Sequence, residues 1–402
     1  MKRRHDIDAL RALAFGLLIL YHVCMLYVYD WGWHLKSSYL SETLQLPMLF
    51  VNRWRMDLIF LISGISTAFL MQKSPRADAN GAGSFLRQRS TRLLLPLLFG
   101  MAVIVPVQPY CQGVANGLVE PGFWQFLGRY YTGYPWPARA FDGWEHGFTW
   151  NHLWYLAYLW CYTMVLIALQ RPLASRAGER LRAAFAGLRG WRLLVWPTAP
   201  LLVIMATLQP HFPQNNALIH DWYAHATYFT VFLYGWWLAS TDGLWHELAR
   251  LRKFSLAAAL CLFSLYIAVR MSTSDDVSPL VNLALMLLRN LYLWTALCTI
   301  LGWGHQCLDR PFRWLPWATE AVYPWYILHQ SLIVLLAYWL VPLKLGAVVE
   351  PLLVVCGTVA GCWLITSGLL ARLDWLRPCF GLKRNTPRRS DTTMAGLPHA
   401  HR

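Results

Sequence analysis

Apolar stretches close to twenty residues long recur from one end of the chain to the other, separated by short polar segments rich in Lys and Arg. Ten can be marked, over approximately 9–29, 46–71, 93–108, 152–170, 192–208, 224–241, 254–270, 281–303, 317–341 and 347–370. A helix rises about 1.5 Å per residue, so about twenty apolar residues cross a hydrocarbon core about 30 Å thick. Only an element that satisfies its own backbone polar groups can do so, which favours helices. The pattern predicts an all-α fold: a polytopic membrane helical bundle of about ten transmembrane helices, forming one domain over 1–383. The polar, basic stretch over 384–402 predicts a disordered tail. The third, fifth and seventh stretches are short, which suits tilted or partly re-entrant segments. The first is too long for a cleavable signal, and Arg11 interrupts its start, so it is expected to remain as a span.

Composition sharpens this picture. The 402 residues are 57% hydrophobic and 14% charged, where a soluble protein carries about a quarter charged residues. The net charge of +15 brings nucleic acid to mind, but the cations lie in short loops between apolar stretches. With the N-terminus inside, the inner segments hold 26 of the 35 Lys and Arg and the outer loops hold 5. That bias predicts cytoplasmic termini and contact with membrane lipid, with no nucleic-acid partner. The nine Cys show neither metal spacing nor a disulfide framework, and most sit in apolar stretches as small packing residues. The largest outer loop, about 109–151, has no obvious helix. Its many Trp and Tyr suit either sugar stacking or a belt on the membrane surface.

Polar residues inside the apolar stretches are the candidates for chemistry, because a charge at membrane depth is costly. Arg11 and His22 lie eleven residues apart, about three helical turns, so they share one face about 16 Å apart along the axis. Asp8, three residues before Arg11, is a possible local partner. In the second stretch Arg53 and Asp57 are four apart and expected to pair, leaving Arg55 in need of another partner. His152 opens the fourth stretch, Arg289 lies in the eighth, and Tyr326 and His329 share a face of the ninth. Three His and two unpaired Arg at overlapping depths predict a shared polar cavity. Arg89 and Arg92, three apart at the inner mouth of the third stretch, form a pair able to grip phosphate. No metal is expected.

Six pieces in order, DALRALAFGLLILYH, RMDLIFLISGISTAFL, FLRQRSTRLLLPLLFG, HLWYLAYL, YPWYILHQSLIV and LRPCFGLK, carry a resemblance. Spanning Asp8 to Lys383, the chain resembles the bacterial membrane acyltransferase 3 family, particularly the branch containing glucans biosynthesis protein C. The resemblance implies ten spans in the bacterial inner (cytoplasmic) membrane. It implies O-acyl transfer, acetyl or succinyl, from a cytoplasmic thioester donor to a hydroxyl of a periplasmic or cell-envelope glycan. The family's first-span Arg and His match Arg11 and His22, its Arg before the ISG segment matches Arg55, and its basic pair matches Arg89 and Arg92. Its late Tyr-Pro segment His matches His329, and its His-Leu-Trp step matches His152 to Trp154. Ser90 and Thr91 between the two Arg are a modest departure. No hydrolase-like domain follows the last span, so a transferase alone is expected.

These matches imply roles. Arg11, Arg89 and Arg92 would bind the phosphates of an acyl-coenzyme A donor, with no permanently bound cofactor. His22, Arg55 and His329 would be catalytic, with either His as the base and Arg55 on the developing oxyanion. His152 and Trp154 would hold the acceptor, and the polar residues Tyr326 and Arg289, which carry no family match, are expected to join them. The rival class is a multi-pass transporter of a polar solute or lipid-linked sugar that uses the buried His and Arg as a proton relay.

Overall fold

The computed structural model describes residues 4–73, 79–273 and 278–384, and among these the chain is all-α. The helices are α1 (His5–Cys24), α2 (Gln45–Asn52), α3 (Arg55–Lys73), α4 (Ala79–Phe99), α5 (Val107–Ala115) and α6 (Phe123–Tyr131). They continue with α7 (Trp154–Ala168), α8 (Gln170–Leu173), α9 (Arg176–Ala186), α10 (Trp191–Val195) and α11 (Thr198–Leu208). The last five are α12 (Trp222–Leu238), α13 (Asp242–Met271), α14 (Pro279–Leu308), α15 (Leu315–Leu340) and α16 (Val349–Leu364). The only extended pairing among the described residues is a bridge between Val28 and Ser41.

Each predicted stretch coincides with helix, and eight helical segments are long and apolar enough to cross a membrane. The fourth and sixth stretches form α7 and α12, shorter at 15 and 17 residues. Both are rich in buried Tyr, including Tyr155, Tyr158, Tyr228 and Tyr234, and they pack among other helices rather than presenting a long apolar surface. The third and seventh elements outrun their apolar stretches, as Gly83–Ala115 and the 30-residue α13. A helix ends where its packing ends: in α13 the early residues Leu244, Trp245, Leu248 and Leu251 bury one face. The predicted tail falls beyond residue 384, outside the described residues.

The loop expected to lack helix carries α5, α6 and a small core of its own, in which Phe126, Tyr130, Trp136, Ala140 and Phe141 are buried together. Four of its aromatic rings are therefore spent on packing, while Trp124, Tyr131, Tyr134 and Phe148 stay exposed.

Helix α1 packs against α3, α14, α15 and α16. Asp6 and Asp8 in its first turn complement the helix dipole. The tightest crossing is that of α3 on α12. A Cβ at Gly64 would lie 2.0 Å from the Phe232 carbonyl oxygen, and one at Gly235 would lie 2.0 Å from that of Leu61. Lipid offers no hydrophobic drive for helices to associate, so backbone contact through small residues holds them. This crossing fixes α3, which contributes to both cavities described next.

Candidate active site

One stripe of α1 lines two cavities. Asp8, Arg11 and Phe15 face a cavity of about 530 Å³, and Leu18, His22 and Met25 face another of about 960 Å³. The steps of three and four residues are those of a single helical face. Tyr326 of α15 lines both cavities. Its ring meets Phe15 at 5.3 Å and Tyr155 at 5.7 Å, edge to face. These three rings form an aromatic septum between the two spaces.

The smaller cavity is basic. Arg4, Arg11, Arg89 and Arg92 line it, with Asp8 the single carboxylate. Arg11 donates to Ser66 Oγ and lies 3.9 Å from Asp8, so the predicted local partner is present but distant. Arg89 donates to Thr67 Oγ1 at 3.2 Å. Arg4 is already committed, with two bonds to Asp6 at 2.9 and 2.6 Å. The α4 segment carrying the pair is pinned by Trp160, whose ring nitrogen donates to Ser90 Oγ at 2.9 Å. Tyr323 fixes it from α15 by donating to the Arg92 carbonyl at 3.1 Å. Arg11 thus converges with Arg89 and Arg92, which lie far from it in sequence.

The larger cavity holds a histidine pair. His22 Nδ1 and His329 Nε2 are 2.9 Å apart, with the rings nearly parallel. The protons follow from the partners. His329 Nδ1 faces two carbonyls, Trp325 at 3.1 Å and Tyr326 at 2.7 Å, so it must carry hydrogen. In a neutral ring Nε2 then accepts, which makes His22 Nδ1 the donor and leaves His22 Nε2 with a free lone pair. Neutral rings fit the place, since neither hydrogen-bonds a carboxylate and an unpaired buried charge is costly. His22 lines the cavity, whereas His329 is fully buried behind it and does not. Trp33 also stacks on His22 at 6.3 Å.

Arg55 enters the same cavity, held over the face of Tyr21 at 3.8 Å and donating to Asn52 at 3.3 Å. The expected Arg53–Asp57 ion pair is not formed. Arg53 and Trp54 form a turn between α2 and α3, so the helical four-residue spacing never applies. Arg53 instead donates to Tyr266 at 2.8 Å, and Asp57, 5% exposed, keeps one oxygen without a partner. Arg289 and Trp154 also line this cavity, as does His152.

His152 is not the edge residue its position in the sequence suggests. It is buried, with Nε2 3.1 Å from the Ile327 carbonyl and Nδ1 3.3 Å from Gln108 Nε2. Both nitrogens are engaged, and Tyr326 donates to its carbonyl at 2.5 Å. A chain of amides links it to the loops. Gln108 donates to Ser331 at 2.7 Å, and Gln330 donates to Gln108 at 3.1 Å and reaches His34 Nε2 at 2.9 Å. His34 Nδ1 in turn lies 2.9 Å from both Gln112 and Asp142. Burial pushes the Asp142 carboxyl up, but its hydrogen bonds to His34 and Gln112 and the His34 charge outweigh this and hold it below the usual carboxylate range. Ser331 also donates to the Ile104 carbonyl at 2.8 Å, at the end of a π-helical turn over Gly100–Ile104, where widened geometry frees backbone groups.

Sequence reasoning missed His34, Gln108, Gln112 and Gln330. They sit in loops or among apolar neighbours, and only the run His-Gln-Ser at 329–331 hints that the ninth stretch carries more than one polar group inward. What the site offers chemically is a guanidinium cluster on one side of a thin aromatic wall. On the other side are an unprotonated imidazole nitrogen and an adjacent guanidinium.

No curated protein and no solved structure matches the chain. A family model described as an acyltransferase domain does match, over residues 4–367. That range takes in both cavities and nearly the whole chain, and the protein therefore belongs to the acyltransferase 3 family of membrane acyltransferases.

Proposed function

We propose that this protein is an O-acyltransferase of the bacterial inner membrane, with both termini cytoplasmic. It moves an acetyl or succinyl group from coenzyme A to a hydroxyl of a periplasmic or cell-envelope glycan, as the glucans biosynthesis protein C branch would imply. One observation carries the reading: a single face of α1 joins a cavity of arginines to a cavity with a free imidazole nitrogen, across only three aromatic rings.

The donor's phosphates bind Arg11, Arg89 and Arg92, which supply charge-assisted bonds in a forked geometry. Its arm follows the α1 stripe, and the thioester passes Tyr326 to reach His22. The acceptor hydroxyl enters the larger cavity and gives its proton to His22 Nε2 as its oxygen attacks the thioester carbonyl. The developing oxyanion faces Arg55. Collapse of the tetrahedral intermediate forms the ester and breaks the carbon–sulfur bond. His22 returns its proton to the leaving thiolate, restoring the starting state. His329 acts through His22: it fixes the tautomer and ring orientation and touches no substrate. His152, with both nitrogens occupied, holds Tyr326 and the cavity wall, while Trp154 and Arg289 face the acceptor space.

The test is acyl transfer by the purified protein in lipid nanodiscs, read as free coenzyme A released from acetyl- or succinyl-coenzyme A with envelope glycans present. Release that depends on glycan and vanishes in His22→Ala supports the scheme; full activity in that variant ends it. Two cavities at opposite ends of one helix also suit a solute transporter. Proteoliposomes separate the two readings, because a transporter moves sugar with no donor present.

A further inference from the structure

We propose that the wall of the larger cavity formed by Arg53 and Arg289 is an oxyanion subsite, which takes a carboxylate or phosphate carried by one of the two transfer substrates. This rests on the transferase reading for the identity of those substrates. The binding itself does not.

Arg289 comes from α14, Arg53 from the turn before α3, and both line the cavity. Among the described residues Arg289 makes no hydrogen bond or ion pair, and its Nε is buried without a partner. Arg53 has one bond, to Tyr266, over whose ring its guanidinium sits at 5.4 Å, and its Nε is also buried and unpartnered. The two cations are close enough to influence one another, and Arg289 also acts on Asp57. Asp57 is the one carboxylate here, and it forms an ion pair with neither. The cavity's other acids, Asp142 and Glu145, belong to the covering loop, and Asp142 is held by His34.

Like charges held together in a poorly solvated wall repel, and a membrane protein keeps such a pair where an anion is to be received. Protein acids do not fill the role, so a ligand does. Arg55 and His22 line the same cavity as this wall, so an anion bound at the wall shares one space with the reacting centre. Two sources have that geometry: an acidic substituent on the glycan acceptor, or the distal carboxylate of a dicarboxylic acyl chain. Binding remote from the reacting bond orients the reacting centre.

The experiment measures binding to the full chain in nanodiscs by calorimetry, with two matched pairs of probes. Methyl β-glucuronide against methyl β-glucoside tests the acceptor source, and succinyl-coenzyme A against acetyl-coenzyme A tests the donor source. In one pair the acidic probe should bind about tenfold more tightly, the worth of one charge-assisted bond. Arg289→Gln and Arg53→Gln should each erase that preference, and Arg289→Lys should restore part of it. Free coenzyme A should still bind each variant through the smaller cavity, which reports that the variant is folded. Preference within the glycoside pair assigns the acceptor, and preference within the thioester pair assigns the donor. No preference in either pair overturns the subsite, as does a preference that survives Arg289→Gln. Acyl transfer with no preference sinks the subsite alone; a preference without coenzyme A binding or release sinks the transferase reading alone.

Discussion

The smaller cavity and the histidine centre of the larger one handle charge in opposite ways. In the smaller one, guanidinium groups from α1 and α4 stand beside neutral hydroxyls, Arg11 on Ser66 and Arg89 on Thr67, with little acid to neutralise them. That is a surface waiting for an anion. In the larger one the central groups are neutral and locked. His329 is fixed by two carbonyls and fixes His22, while His152 is held by Ile327 and Gln108. A binding site tolerates mobile charge because its ligand completes it. A proton-transfer site needs its tautomer set before the ligand arrives, and a hydrogen-bond chain does that. The septum of Phe15, Tyr155 and Tyr326 keeps the two regimes apart.

The difference can be broken most severely at His22. His22→Ala should lower kcat by about 10²–10⁴-fold, the usual worth of a positioned base, while coenzyme A binding stays intact. His329→Ala removes only the acceptor of the His22 proton, and should cost kcat about tenfold with little change in KM. Equal losses in the two variants would make His329 more than a positioning residue. Steady-state kinetics in nanodiscs decides.

On the other side of the septum the split should invert. Arg89→Ala with Arg92→Ala should raise the donor KM by about ten- to a hundredfold, the loss of one or two charge-assisted bonds, with kcat much less affected. A fall in kcat at unchanged KM would return these arginines to a topological role. Titration of coenzyme A by calorimetry checks the binding part directly.

One substitution should damage both cavities at once. Gly64→Ala sets a methyl group 2.0 Å from the Phe232 carbonyl oxygen, and α3 supplies Arg55 to one cavity and Ser66 to the other. Overpacking of this kind costs about 1–3 kcal/mol, read as a lower unfolding temperature in detergent. Donor affinity and turnover should decline together, unlike in the two preceding cases.

The smallest effect belongs to the cover of the larger cavity. Asp142 has its carboxyl held below the ordinary value, so its stabilisation is fully present above the unfolded value of about 3.9. It is lost as the pH falls through the lower folded value. The unfolding temperature of the native protein should fall toward that of Asp142→Asn only below about pH 4. A difference unchanged by acid would show that the His34 contact does not depend on the carboxylate charge.

The amino-acid sequence by itself determined the membrane class, the position of nearly every long helix, and the shared face of Arg11 and His22. These depend on apolar runs and on the helical period, which are local properties of the chain. It also exposed Arg89 and Arg92, because a pair three residues apart can be read within one turn. Tertiary structure alone decided which His faces the larger cavity, since the His22–His329 bond joins residues 307 positions apart. It alone showed that His152 is buried and saturated, and that Gln108, Gln330 and His34 bind the loops to α15. The turn at Arg53 and Trp54 dissolved an ion pair that spacing favours, and so left Arg53 without an acid. Hydrogen bonds between distant segments leave no periodic trace in a sequence, because each needs only one polar side chain per helix and a fold that brings the two within 3 Å.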